Sequence, residues 1–170
     1  GPFPTREDRR DYVDRTSAAL MRIAARLLKP DLDLGGEAGA AIQAAGRLWG
    51  FAGLLRAFAP LVQAGRPPYS ADELAGADMS EADLRAGRKP EVARAALSGL
   101  ITEAQEAAGM LSRTRSALPA EVFPAVGYAS LARGYLKSAQ GLGDPFREQI
   151  ARGPLGQNAR LTWASLTGRV

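Results

Sequence analysis

Carboxylates are the side chains best suited to do chemistry in this sequence, and one group of them is regularly spaced. Asp8, Asp11 and Asp14 follow one another at intervals of three residues, so on a helix they would share one face. Such a row of oxygen ligands could hold Mg²⁺. Four basic residues lie among and beside them: Arg6, Arg9, Arg10 and Arg15. Since acidic residues are also favoured near a helix start, we favour a solvated, ion-paired face over a metal site.

The sequence contains no Cys and no His. Their absence excludes disulfides, thiolate catalysis, structural zinc and histidine acid–base chemistry for this chain. The other acidic groups, between Asp72 and Asp83 and at Asp31 and Asp33, are explained by helix caps and a turn. No glycine-rich phosphate loop with a Lys-Ser/Thr ending is present. We therefore predict no catalytic residue, no metal site and no cofactor.

Arg56 lies among apolar residues, in the stretch Gly53-Leu-Leu-Arg-Ala-Phe58. A guanidinium there either extends to solvent or pairs with a buried acceptor, and we expect a structural or partner-facing role. Gly46, Gly50 and Gly53 recur along the same segment. Because a glycine costs about 1 kcal/mol in a helix interior, we expect this face to pack closely against another helix. The alternative is close approach of a ligand.

Apolar residues spaced three or four apart predict helices along the chain. The first is expected from an N-cap at Thr5 to Pro30, and the second from Glu37 to about Leu61. The apolar stripe of the first helix contains Tyr12, Thr16, Leu20, Ile23 and Leu27.

Proline and glycine residues then mark a loop, followed by helix caps at Ser70 and Ser80. A long helix is expected from Pro90 to Pro119, with Glu103 off its apolar stripe, and another from about Ala120 to Gln140. A short apolar stretch surrounds Trp163. No period-two alternation typical of strands occurs, so the sequence predicts a single all-α domain over residues 1–170.

The charge is modest and dispersed: 22 basic and 18 acidic residues give a formal net charge of +4. A nucleic-acid-binding protein usually concentrates its charge in a patch interleaved with aromatic residues, so we expect no nucleic-acid partner. No apolar stretch reaches about 18 residues, so no transmembrane segment is expected. No secretory signal is visible either, and we expect a cytoplasmic protein.

The stretch GRLWGFAGLLRAFAPLVQAGRPPYSADEL, residues 46–74, resembles a motif of the squalene/phytoene synthase family. In that family a long helix reads Gln-Leu-Thr-Asn-Ile-Leu-Arg-Asp-Val-x-Glu-Asp, followed by Gly-Arg, Tyr-Leu-Pro and Asp-Glu-Leu. Without a gap, Leu55-Arg56, Gly65-Arg66 and Asp72-Glu73-Leu74 match this pattern. The resemblance implies a helical isoprenoid-synthase-like bundle. It also implies that the chain corresponds to the C-terminal part of the family fold, without the N-terminal part.

The departures from this motif concern the residues that bind metal. Family enzymes hold Mg²⁺ and the substrate diphosphate through two aspartate-rich motifs, one of which lies on this helix. Here Gly53 replaces the Asn, and Ala57, Pro60 and Leu61 replace the acidic residues. None of these side chains offers an oxygen ligand. The other motif would lie upstream of Gly1.

The pattern is similar to that of the inactive branch of the family, which includes a mitochondrial assembly factor for respiratory complex I and bacterial relatives. This similarity implies a non-catalytic binding or assembly factor. Its protein partner would be a subunit of a membrane complex, with respiratory complex I as the example, and its location would be peripheral at the inner membrane. Two alternatives remain: a prenyl-diphosphate transferase that uses Mg²⁺, and a carrier of an isoprenoid or lipid ligand.

Overall fold

The computed structural model describes residues 1–148, 150 and 154–167, and over these residues the chain is all-α. The only β-type pairing in the described ranges is an isolated bridge between Phe3 and Ser70. The α-helices are α1 (Arg6–Val13), α2 (Ala19–Leu28), α3 (Glu37–Arg56), α4 (Phe58–Gln63), α5 (Ala71–Gly76), α6 (Glu81–Arg85), α7 (Pro90–Ala96), α8 (Ser98–Thr114), α9 (Phe123–Val126), α10 (Ala129–Gln140) and α11 (Pro154–Thr167). A π-helical turn joins α1 to α2 (Asp14–Ala18), and two 3₁₀ turns lie between α8 and α9 (Arg115–Ala117 and Ala120–Val122).

The α3 helix forms the centre of the fold. Twelve of its residues are buried, and it packs against α8, α10, α2 and the π-helical turn. A helix surrounded in this way is apolar on most sides rather than on one stripe. None of the described helices is long and apolar enough to cross a membrane.

The first predicted helix forms, but with the opposite face buried. Thr5 caps α1 through a reciprocal capping box with Asp8, as predicted from the N-cap. The predicted stripe is largely exposed: Tyr12, Leu20, Ile23 and Leu27 all lie at the surface. The buried face contains Val13, Ala18, Met21 and Ala25 instead. At Ala18 the buried side chain is small because the α3 backbone comes close at Gly46, and a larger side chain would not fit between the two backbones.

Of the three α3 glycines for which close packing was expected, two explain this close approach. A Cβ on Gly46 would overlap the Ala18 Cα, and one on Gly50 would lie 2.6 Å from the Val13 Cγ1. The expected close packing is therefore confirmed at these two positions. It is wrong for Gly53, where a Cβ would meet nothing within 4 Å.

Several predicted helices are interrupted. The second predicted helix ends at Arg56, and α4 starts at Phe58 after a break of one residue. The break occurs because Pro60 cannot donate a hydrogen bond to the Arg56 carbonyl. The helix from Pro90 is divided at Leu97 into α7 and α8. The helix expected from Ala120 starts as a 3₁₀ turn, because Pro124 likewise lacks an N–H, and it is broken again after Val126. The caps at Ser70 and Ser80 are both present as capping boxes.

Candidate functional site

The positions that match the family's metal-binding motif lie where α3 ends and α4 begins. Gly53 and Ala57 are half-buried, Pro60 is exposed, and Leu61 is half-buried against the core. The backbone N–H of Leu61 donates to the Ala57 carbonyl at 2.9 Å, so this short segment is well ordered by its own hydrogen bonds. The side chains at these four positions offer neither charge nor oxygen.

The two arginines of the motif are both exposed. The Arg56 guanidinium lies over the Tyr135 ring, 5.5 Å from its centroid. Of the two alternatives for Arg56, the structure thus shows the solvent-facing one, with a cation–π contact in place of a buried acceptor. The Arg66 N–H donates to the Leu61 carbonyl at 2.9 Å and closes the turn after α4.

A cavity of about 330 Å³ adjoins this segment, between α3, α4, α10 and the chain after α10. Arg56, Pro60 and Tyr135 line it, together with one carboxylate, Glu148. Glu148 accepts hydrogen bonds from the N–H groups of Gly143 and Asp144, the latter at 2.8 Å. This carboxylate therefore stabilises a turn, and its position does not restore an aspartate motif.

The aspartates near the N-terminus serve three separate structural roles. Asp8 accepts hydrogen bonds at the start of α1, and Asp11 pairs with Arg15 at 3.0 Å. Asp14 receives a two-point hydrogen bond from Arg47, at 2.7 and 2.6 Å. This hydrogen bond is the main reason that the pKa of Arg47 is raised. The expected ion-paired face forms only in part. Among the described ion pairs, Arg15 alone of the four neighbouring arginines pairs with one of these aspartates, whereas Arg6, Arg9 and Arg10 pair with Glu73 or Glu103. Within the described ranges, no three potential metal-binding side chains lie together.

A buried charge cluster that the sequence interpretation missed links α1 to α5 and α8. Arg9 is fully buried, and its guanidinium donates to both Glu73 and Glu103, as well as to the Pro68 carbonyl. Glu103 is buried too, so its placement off the apolar stripe did not mean exposure to solvent. The only sequence signal was Glu73, which the resemblance had already placed in the Asp-Glu-Leu motif.

The cluster keeps its charges although it excludes water. Burial alone would raise the pKa of Glu73, but hydrogen bonds from Arg9 and the Ser70 N–H, and the charges of Arg9 and Arg6, hold that pKa below its usual range. Burial also tends to lower the pKa of Arg9, and the two carboxylates outweigh it and raise that pKa. Burial and the Glu73 charge raise the pKa of nearby Tyr69. Such a paired cluster is a structural element, because no charged group in it is left for a ligand.

An apolar surface that no described element covers lies on α2. We call it the α2 apolar face and define it as Leu20, Ile23 and Leu27, which are 65%, 58% and 78% exposed. A shallow groove of about 600 Å³ includes Ile23 and Leu27 and extends to Leu34. Three arginines border it: Arg15, Arg22 and Arg26.

No curated protein matches this chain. Among solved structures, squalene synthase HpnC from Alicyclobacillus acidocaldarius matches with a TM-score of 0.61 and 21% identity, over 98% of this chain and 53% of HpnC. At this identity the likeness concerns the fold alone, and the chain spans about half of the length of HpnC.

The match confirms the all-α, isoprenoid-synthase-like fold that the motif resemblance implied. The model of the family described as squalene/phytoene synthase matches residues 1–163. Since this range is nearly the whole chain, the protein belongs to the squalene/phytoene synthase family.

Proposed function

We propose that this family member is a non-catalytic binding or assembly factor. The observation that supports the non-catalytic part is the set of side chains at the motif positions: Gly53, Ala57, Pro60 and Leu61 offer no oxygen atom. Mg²⁺ requires oxygen ligands in near-octahedral geometry. Without a bound metal to neutralise charge, two prenyl diphosphates brought to this segment would repel each other.

The observation that supports the binding part is the α2 apolar face. Exposing three large aliphatic side chains along consecutive turns of one helix is typical of a surface that another apolar element covers. Arg15, Arg22 and Arg26 border the groove, so the element that fits best is an amphipathic helix with acidic residues beside its apolar stripe. Charge complementarity of this kind orients a partner and speeds its association.

The partner that we propose is a helix of a protein subunit from a membrane complex. The similarity to the inactive branch of the family suggests respiratory complex I as that complex. A partner of this kind would place the protein at the inner membrane as a peripheral component. The chain itself supplies no membrane-crossing helix among those described, so the partner subunit as a whole would provide the attachment.

The test is site-specific photo-cross-linking in the native host. A photoreactive amino acid replaces Ile23 in the α2 apolar face, and a matched control carries it at Glu91, an exposed position on α7. We expect the Ile23 position to cross-link to one protein that mass spectrometry identifies as a membrane-complex subunit, and the Glu91 position to give no such product. Equal products at both positions, or lipid as the only product, would refute the proposed function.

A second candidate function is binding or transfer of an isoprenoid. The groove beside the α2 apolar face favours it, because an apolar channel bordered by arginines is also suited to a prenyl chain with a diphosphate. The match to a squalene synthase supports prenyl transfer in general.

Calorimetry with farnesyl diphosphate, with and without Mg²⁺, distinguishes this candidate function from the first by measuring binding. A product assay then measures turnover. We expect no Mg²⁺-dependent binding and no condensation product. Binding without product would favour a carrier, which mass spectrometry of co-purified lipid would then identify. Micromolar, Mg²⁺-dependent binding or any condensation product would rule out the non-catalytic proposal.

A further inference from the structure

Three arginines from different elements line one cavity on the side of the fold formed by α8, α10 and α11. Arg115 lies in the 3₁₀ turn after α8, Arg133 in α10 and Arg160 in α11. They surround a space of about 370 Å³. Ser112, Ser130 and Trp163 complete most of its wall. None of the degenerate family positions lines this cavity, so it is separate from the site described above.

No carboxylate neutralises these arginines within the part of the chain that the structure describes. Arg133 donates to the Ser112 hydroxyl at 3.0 Å, and the Arg160 Nε donates to the Ser130 carbonyl. By contrast, the buried Arg9 and the half-buried Arg47 both pair with carboxylates. Burial lowers the pKa of Arg133, and the positive charges of Arg115 and Arg160 lower it further. The cavity is therefore a concentrated, uncompensated positive region.

Two polar atoms in its wall also lack partners. The Ser130 hydroxyl and the Arg133 Nε are buried, and neither makes a hydrogen bond with any described group. Ser130 is only 2% exposed. Buried polar groups are nearly always paired, and an exception commonly indicates an ion or water that completes the network. The Arg133 Nε can only donate and the Ser130 hydroxyl can donate, so an acceptor in the cavity would satisfy both groups.

We propose that this cavity, which we call the arginine cavity, binds a phosphate-type anion. A phosphate group accepts several hydrogen bonds at once, and planar guanidinium groups match its oxygen geometry in two-point contacts. Binding would neutralise the repulsion among Arg115, Arg133 and Arg160 and provide acceptors for the unpaired donors after a small side-chain adjustment. The phosphate is supplied either free in solution or as a lipid headgroup, since both present the same oxyanion.

The first arm of the test uses inorganic phosphate as the probe. Thermal melting and calorimetry are measured at constant ionic strength, with chloride replacing phosphate in the reference. We expect saturable binding that raises Tm. The Arg115→Gln/Arg160→Gln variant should bind about tenfold or more weakly, because it loses charge-assisted hydrogen bonds. The matched control Arg113→Gln, at an exposed arginine of the same helix end outside the cavity, should bind as the wild type does.

Ser130→Ala provides a second variant that does not depend on removing charge. Without phosphate its Tm should stay the same or rise, because the hydroxyl has no partner to lose. With phosphate its gain in Tm should be smaller than that of the wild type. If phosphate and chloride have equal effects, or the Arg115→Gln/Arg160→Gln variant binds phosphate like the wild type, the arginine cavity is not a phosphate site in solution.

The second arm distinguishes the source of the phosphate. Flotation is measured with phosphatidylcholine vesicles, with and without phosphatidic acid, for the wild type and the same variants. Flotation that requires phosphatidic acid and is lost in the Arg115→Gln/Arg160→Gln variant would identify a lipid headgroup. Phosphate binding without flotation would identify a free anion. If neither probe shows a difference between this variant and Arg113→Gln, the proposal is refuted.

Discussion

Arg9→Met tests whether the buried charge cluster holds the first helix to the rest of the fold. Arg9 is 0% exposed and makes five hydrogen bonds to Glu73, Glu103 and the Pro68 carbonyl. Methionine fills similar space but leaves two buried carboxylates without their main partner. We expect a loss of roughly 3–5 kcal/mol in the free energy of unfolding, the usual cost of breaking a buried ion pair from one side.

That loss would be a large share of the stability of an ordinary domain, which is about 5–15 kcal/mol. For a chain of this length it corresponds to a decrease in Tm of roughly 6–20 °C. Urea unfolding at pH 7, followed by circular dichroism, measures the free energy directly. Arg15→Met is the matched control: Arg15 pairs with Asp11 at the surface of the same helical region, and exposed pairs contribute about 1 kcal/mol or less.

A triple variant identifies the cause of the loss. Arg9→Met/Glu73→Gln/Glu103→Gln removes the unpaired charges, so it should recover part of the stability lost in Arg9→Met alone. Two results would refute the argument. One is an Arg9→Met variant within about 1 kcal/mol of the wild type, which would mean that Arg6 and Arg10 are sufficient partners. The other is a triple variant less stable than the single one.

Two further predictions concern packing and pH. The free energy of unfolding of Gly46→Ala should be about 1–3 kcal/mol lower than that of the wild type, because the added Cβ overpacks against Ala18. Gly53→Ala adds a Cβ that meets open space, so its free energy of unfolding should rise by about 0.5–1 kcal/mol through better helix propensity. Equal changes in the free energy of urea unfolding for the two variants would contradict the packing argument. The pKa of Glu73 is lower in the folded state than its ordinary value of 4.5, so its contribution to stability is complete above pH 4.5 and is lost as the pH falls. Tm of the wild type should therefore fall more steeply below pH 4.5 than that of Glu73→Gln, and parallel curves would show that Glu73 is not responsible.

The sequence alone determined the helical class and the ends of many helices, because these depend on neighbouring residues. The hydroxyls of Thr5, Ser70 and Ser80 cap helices that start immediately after them, and Pro90 starts a helix that needs no N–H there. The motif resemblance pointed to the family, and the family match over residues 1–163 confirms it. These features require contacts over a few residues only, so their signals are contiguous in the sequence.

The breaks within helices were harder to predict. Pro60 and Pro124 both signalled a lost hydrogen bond, yet their exact effect depends on what packs beside them. The division of the Pro90 helix at Leu97 has no clear signal in residue type. It lies two residues from Gly99, where an added Cβ would overlap the Glu73 carboxylate.

Tertiary structure alone decided which face of the first helix is buried and which charges meet. Leu20, Ile23 and Leu27 form the more hydrophobic stripe, but α3 presents Gly46 and Gly50, and only small side chains fit such a close approach. Arg9 meets Glu73 and Glu103, which are 64 and 94 residues away in the sequence. Arg115, Arg133 and Arg160 converge in the same way, from three separate elements. A single sequence carries no periodic signal for such contacts between distant residues, because burial and charge pairing are properties of the packed chain.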